Sequence, residues 1–342
     1  MDSELENEKK AERYFRTSTR LGFMLAFFIG ACFGVSYAAW TLNPFLGFTV
    51  SFLSATMVFL SLVLLEHHID RKYKGITCSR REYLIAALPV YAIMLVFVII
   101  ILTLWTILTY STGMMVFINM NVIVILLLYT SFTLLPRMFR ISSKGLELED
   151  PKLVERILSL AKEMGVRVER IAILSWKKLK VANALQVGPK RFSIYLSDYL
   201  IENLKLVEVE AVVAHELAHV KKRHLLKVLL FTLTFVLTGI NLLLYSWVKR
   251  GNPISYTTTI AGILFLLAES IASNSLARRF ELEADALSAQ ILGSPEPMIS
   301  ALQRIAELNL TPTKYPRIIE WALPHPSTET RIEKLKMIEM KR

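Results

Sequence analysis

Cysteine is almost missing from this chain: two in 342 residues, Cys32 in an apolar segment and Cys78 in a basic loop. Neither a disulfide framework nor a cysteine-rich zinc site is available. Aromatic-basic nucleic-acid motifs, low-complexity tracts and internal repeats are also missing. The net charge of +11 and the pI near 9.5 therefore point to lipid head groups rather than to nucleic acid. No small-residue cleavage site accompanies the first apolar run, which reads as a retained helix and not a signal peptide. Basic charge is sparse in alternate loops. The stretches around Asn43-Pro44 and Ser111-Thr112-Gly113 carry no charge, and the last loop of that set carries only Lys249 and Arg250.

What is present is apolar. Hydrophobic residues make up 54% of the chain and the mean hydropathy is +0.45, which suits a multi-pass membrane protein. A transmembrane helix needs about 20 apolar residues. Six stretches qualify, near 21–42, 46–65, 83–109, 114–135, 225–248 and 256–276. Basic residues fill the other loops: Lys9, Lys10, Arg13, Arg16 and Arg20, then Arg71, Lys72, Lys74, Arg80 and Arg81, then Arg137, Arg140 and Lys144. The positive-inside rule places both termini and the 136–224 region in the cytoplasm of a cell-membrane protein. The expected fold is mainly α: a multi-pass α-helical membrane protein with a cytoplasmic α+β domain. Four regions follow: 1–140 with four spans, 141–224 as a cytoplasmic catalytic region, 225–276 as a transmembrane hairpin, and 277–342 as a cytoplasmic C-terminal region.

Within 141–224, Leu153, Val154, Ile157, Leu158 and Ala161 repeat as one face of an amphipathic helix, and Gly165 is a natural stop. Val166 to Leu174 and Phe192 to Leu196 alternate as strands do. Residues 277–342 read as helical, interrupted by Pro312, Pro316, Pro324 and Pro326.

The run Ala-His-Glu-Leu-Ala-His at 214–219 carries the chemistry. Two histidines four apart on a helix face the same way, so His215 and His219 can reach one metal. Glu216 beside them can hold and deprotonate a metal-bound water. A tetrahedral zinc wants a third protein ligand, and Glu281 is the candidate. His219 lies just before the fifth span and Glu281 just after the sixth, so helical extensions of that hairpin would bring them to similar heights. Asp285, one turn beyond Glu281, can accept a hydrogen bond from a ligand histidine and fix its tautomer.

With these residues the sequence resembles the integral-membrane zinc metallopeptidases that include HtpX-type proteases and the CAAX prenyl endopeptidases. The matching residues are His215-Glu216-Leu217-Ala218-His219, Arg279-Phe280-Glu281-Leu282-Glu283-Ala284-Asp285, His325-Pro326 with Arg331-Ile332, and Asn183-Ala184. The resemblance covers roughly 140–340 and implies one Zn2+ per chain on His215, His219 and Glu281, with Glu216 as general base. It further implies that His325 helps to stabilise the oxyanion, that Arg331 holds the surrounding structure, and that Asn183-Ala184 sits on an edge strand pairing with extended substrate. The chain departs from the pattern at Leu185, where the family often has Phe. Four spans precede the catalytic region, where HtpX-type proteases show two and the prenyl endopeptidases have a seven-helix arrangement.

The expected function is a membrane zinc endopeptidase acting on polypeptides, chiefly membrane proteins, in HtpX-like quality control. A CAAX-prenyl-type endopeptidase and a non-catalytic membrane scaffold are the alternatives. A transporter, prompted by Glu269 inside the sixth span, lacks the paired broken helices such folds use. Glu269 reads as a carboxyl hydrogen-bonded inside the bundle, with Asn241 and Asn274 as partners. His67 and His68 read as solvated at a helix end, and the run Lys221-Lys222-Arg223-His224 as lipid head-group contact.

Overall fold

The computed structural model describes residues 2–88, 118, 121–122, 124–126, 146–188, 192–250 and 256–339. The chain forms two compact units, Lys9–Phe139 and a second made of Met1–Glu8 with Arg140–Arg342.

The first unit contains most of helix α1 (Asp2–Leu42) and helix α2 (Pro44–Tyr73), which hold the expected spans 21–42 and 46–65. At one end of this pair the buried Asp70 accepts from Tyr14 Oη at 2.7 Å and Tyr83 Oη at 2.9 Å, and Lys74 Nζ lies 3.4 Å away. Three polar partners make a buried carboxylate tolerable. His67 is not solvated as expected. It is 3% exposed, and its Nε2 lies 3.1 Å from the Cys78 carbonyl. His68 is exposed. The expected spans 83–109 and 114–135 fall almost wholly outside the described residues.

The second unit begins with α3 (Pro151–Glu163). Asp150 caps it by accepting from the Lys152 and Leu153 backbone N–H groups. Gly165, at φ +68, ends it as the sequence suggested. A three-stranded sheet follows in the order β1-β3-β2, formed by β1 (Val168–Leu174), β2 (Ala184–Val187) and β3 (Phe192–Ser197). β1 runs parallel to β3, and β2 pairs with β3 antiparallel from Ala184↔Leu196 to Val187↔Ser193. The remaining helices are α4 (Asp198–Asn203), α5 (Leu206–Lys221), α6 (His224–Arg250), α7 (Tyr256–Ile291), α8 (Glu296–Asn309), α9 (Arg317–Ala322) and α10 (Thr328–Glu339).

Helix α5 is the hub. Its residues are apolar on nearly every side, as expected of a helix buried all round. Val213, Ala214, Leu217 and Ala218 are fully buried. On one flank it packs with α3, the sheet and α4 through Ile157, Ile194, Leu196 and Leu200. On the other it meets α7, α8 and α10 through Ala211, Ala289, Met298 and Leu335. Each large apolar side chain buried in this way contributes about 1.5–3 kcal/mol of transfer free energy. Glu208 closes the N-terminus of α5, accepting from the Lys205 N–H at 2.7 Å and from Ser300 Oγ at 2.6 Å.

Three helical stretches among the described residues are long and apolar enough to cross a membrane: Thr49–Tyr73, His224–Leu242 and Ile260–Ile291. The last two belong to the expected hairpin. Their helices meet closely at Gly239, where an added Cβ would stand 2.2 Å from the ring of Phe265. Phe235 packs on the same ring at 4.6 Å, and Thr232 Oγ1 and Ser273 Oγ lie 3.3 Å apart. One expectation fails here. The histidine pair does not ride on a straight extension of the fifth span. The helix ends at Lys221, the chain turns through Arg223 at φ 55, and α6 starts afresh at His224.

Gly239→Val should drive the two helices apart and destabilise the hairpin by about 1–3 kcal/mol, as overpacking does. Its melting temperature in detergent should drop, and Phe265→Ala in the same chain should recover part of the loss.

Candidate metal centre

The site forms where α5 meets α7. Ser288 Oγ donates to the Ala211 carbonyl at 2.9 Å and pins the two helices together. Glu281, Asp285 and Ser288 lie at helical spacing, so one face of α7 supplies all three to α5. His215 and His219 answer from α5, also one turn apart.

Three side chains converge. His215 Nε2 and His219 Nε2 are 3.1 Å apart. Glu281 Oε2 is 3.6 Å from His215 Nε2, and Oε1 is 3.3 Å from His219 Nε2. The edges of a tetrahedron with metal–ligand bonds of 2.0–2.1 Å are about 3.3 Å long. Two imidazoles and one carboxylate at those separations fit zinc, and they form the metal-competent group found among the described residues.

The surrounding groups prepare the ligands. Asp285, 2% exposed, lies 2.9 Å from His215 Nδ1. That hydrogen bond puts the His215 proton on Nδ1 and leaves the Nε2 lone pair for a metal. Arg331 grips the same carboxylate with two N–H groups, Nε at 2.8 Å and Nη2 at 2.6 Å, and its Nη1 lies 3.6 Å from Glu281 Oε2. Burial alone would raise the Asp285 pKa, but Arg331 and His215 outweigh it and hold the carboxylate below its ordinary range. Glu281 behaves likewise: burial opposes its charge, and hydrogen bonds from His215, His219 and His325 force its pKa far down. For His215 burial opposes protonation, yet Asp285 and Glu281 keep the metal-free imidazole up at about 9. Glu216 keeps part of its surface open. Burial pushes its carboxyl pKa up, against the pull of His215 and His219.

His325 comes from the loop between α9 and α10, and its Nδ1 lies 3.0 Å from Glu281 Oε2. The ring is otherwise 65% exposed, so it stands at the mouth of the site. Two α7 residues clamp the C-terminal end of α9, from which that loop leaves. Arg278 Nη1 reaches the carbonyls of Glu320, Trp321 and Leu323 at 2.8–3.1 Å, and Asn274 Nδ2 donates to the Ala322 carbonyl at 2.9 Å. Asn274 therefore serves the loop, not Glu269. Across the sheet, Ala184 opens the edge strand β2. Asn183, just before it, accepts from Ser197 N through its carbonyl and from Ala184 N through Oδ1.

The structure thus brings His215, Glu216, His219, Glu281, Asp285, His325 and Arg331 together. It places Asn183 and Ala184 at the sheet edge. Arg278 and Asn274 were not singled out for this clamp by sequence, because nothing local marks the loop they hold. His224 was read as head-group contact but is 2% exposed and stacks on Phe280 with ring centroids 4.2 Å apart.

The raised pKa of His215 has a measurable consequence. Its protonated form stabilises the metal-free fold fully below about 6.5, and that contribution disappears as pH rises through about 9. Metal-free protein should therefore lose melting temperature between pH 6.5 and 9. Zinc-loaded protein should not, because the Nε2 lone pair is already committed. Thermal unfolding of chelator-treated and zinc-loaded samples across that range tests this.

The model of peptidase family M48 matches residues 147–339, more than half of the chain. A protease HtpX homologue of Pyrococcus furiosus is 28% identical over 226 residues, covering 57% of this chain and 75% of the relative. A second, from Janthinobacterium sp., is 30% identical over 178 residues, covering 48% of this chain and 59% of the relative. A third, from Nostoc sp., is 26% identical over 260 residues, covering 67% and 88%. The crystal structure of Ste24p from S. mikatae shares the fold with a TM-score of 0.74 at 20% identity, covering 96% of this chain and 88% of that one. The resemblance carried by the motifs is thereby upheld: the chain belongs to peptidase family M48, a family of membrane zinc metallopeptidases.

Proposed function

We propose that this metallopeptidase is a membrane-embedded zinc endopeptidase that hydrolyses membrane or membrane-proximal proteins, with one Zn2+ per chain on His215, His219 and Glu281. The observation that carries the reading is the set of ligand separations, 3.1, 3.3 and 3.6 Å, with Glu216 next in sequence to His215. Zinc, when bound, polarises the scissile carbonyl and lowers the pKa of the attacking water. Glu216 takes the proton of that water and passes it to the leaving amine nitrogen. A carboxyl whose pKa is raised serves both transfers near neutral pH. His325, with Nδ1 3.0 Å from Glu281 Oε2, presents its exposed ring at the mouth of the site, where the oxyanion develops. Asp285 and Arg331 act at one remove by holding His215 and Glu281. An extended peptide can add to the edge of β2 beside Asn183 and Ala184.

The basic loops orient both termini and this site towards the cytoplasm. A role in HtpX-like quality control is supported by the similarity to the HtpX homologues. One observation favours the second reading, a prenyl-type endopeptidase: the likeness to Ste24p extends over 96% of the chain, well beyond the catalytic region.

Glu216→Gln should keep zinc and lose about 10²–10⁴-fold in kcat. His325→Ala should also keep zinc and lose about 10²–10³-fold. Metal content and cleavage of unfolded casein, measured on the same purified samples, check both, and a fully active Glu216→Gln protein contradicts the assignment. A peptide panel with and without a prenyl group separates the readings: cleavage confined to prenylated peptides supports the second.

A further inference from the structure

His219 has a partner that the mechanism above does not use. Its Nε2 faces His215 and Glu281, so as a ligand it must carry its proton on Nδ1. Nδ1 of His219 lies 3.0 Å from Nδ1 of His224. Nε2 of His224 lies 3.3 Å from Glu283 Oε2. An ionised carboxylate can only accept, so Nε2 of His224 donates to it, and Nδ1 of His224, facing the Nδ1–H of His219, is the acceptor. The chain runs one way: His219 Nδ1–H donates to His224 Nδ1, and His224 Nε2–H donates to Glu283.

Several features hold His224 in that place. The turn through Arg223, at φ 55, is a conformation that a non-glycine residue adopts only at a cost. It returns the first residue of α6 to the last turn of α5. The His224 ring is 2% exposed and lies flat on Phe280, with 5° between the planes. Lys222 Nζ holds the other oxygen of Glu283 at 2.8 Å. Glu283 and Phe280 belong to the stretch of α7 that carries Glu281, so one helix supplies both the ligand and the end of the relay.

We propose that His224 and Glu283 form a positioning relay that fixes the tautomer and ring orientation of His219, as Asp285 does for His215. This rests on the metal-centre reading above. Neither residue touches substrate. Their work is to present the Nε2 lone pair of His219 and to raise its basicity towards a divalent metal.

The test uses the full-length protein in detergent, with zinc affinity from chelator competition and the visible spectrum of the Co2+-substituted site. His224→Phe keeps the ring stack and removes the acceptor. Zinc binding should weaken by about 10–100-fold, as loss of such outer partners does, and the Co2+ bands should shift. His224→Asn puts Oδ1 close to the place of Nδ1 and should recover most of the affinity. Glu283→Ala, at a half-exposed position, should weaken zinc by several-fold, and it decides the matter if His224→Phe does not fold. Zinc bound by wild type and equally by His224→Phe and Glu283→Ala overturns the relay alone. His224→Asn as weak as His224→Phe also overturns it, since packing would then be the cause. A wild type that binds no zinc overturns the metal-centre reading and the relay with it.

Discussion

The Asp285 carboxylate is the point on which the rest of the catalytic unit depends. It comes from α7, accepts the Nδ1–H of His215 from α5, and takes two N–H groups of Arg331 from α10. Three helices are thereby locked in register. A carboxylate 2% exposed is expensive to bury unless paired, and truncating a partner of such a pair costs several kcal/mol. The same contact that orders the helices also fixes the His215 tautomer, with the proton on Nδ1.

The apolar packing around that point is arranged to make it rigid. Helix α5 is enclosed by α3 and the sheet on one flank and by α7, α8 and α10 on the other. Its two histidines have little freedom, and metal affinity depends on placing ligands to within about 0.5 Å. The mouth of the site is built differently. His325 sits on a loop tied down by backbone carbonyls that Arg278 and Asn274 hold, and its ring is largely exposed. A buried floor and an open rim suit a site that must bind metal firmly and admit a long polypeptide.

Much of this was legible in the sequence, for physical reasons. The four-residue spacing of His215 and His219, and of Glu281 and Asp285, maps directly onto a helix face. The amphipathic repeat of 153–161 and its Gly165 stop became α3. What could not be read depends on turns and long-range contacts. The break after Lys221 follows from Arg223 in a left-handed conformation, which no glycine or asparagine announces. That break separates the histidine helix from the span and buries His224, which composition had assigned to the lipid surface. The clamp of Arg278 on 320–323 joins residues more than forty apart in sequence. Charged neighbours make His67 read as a surface residue, while the fold buries it against Cys78.

The central claim, that two imidazoles and one carboxylate of this chain hold zinc, is tested most directly by X-ray absorption at the zinc edge on purified protein. The account predicts a four-coordinate site with two histidine nitrogens at 2.0–2.1 Å, completed by oxygen, and loss of the histidine signature in His215→Ala. A protein that retains no zinc, or one whose zinc spectrum is unchanged in His215→Ala, would contradict it.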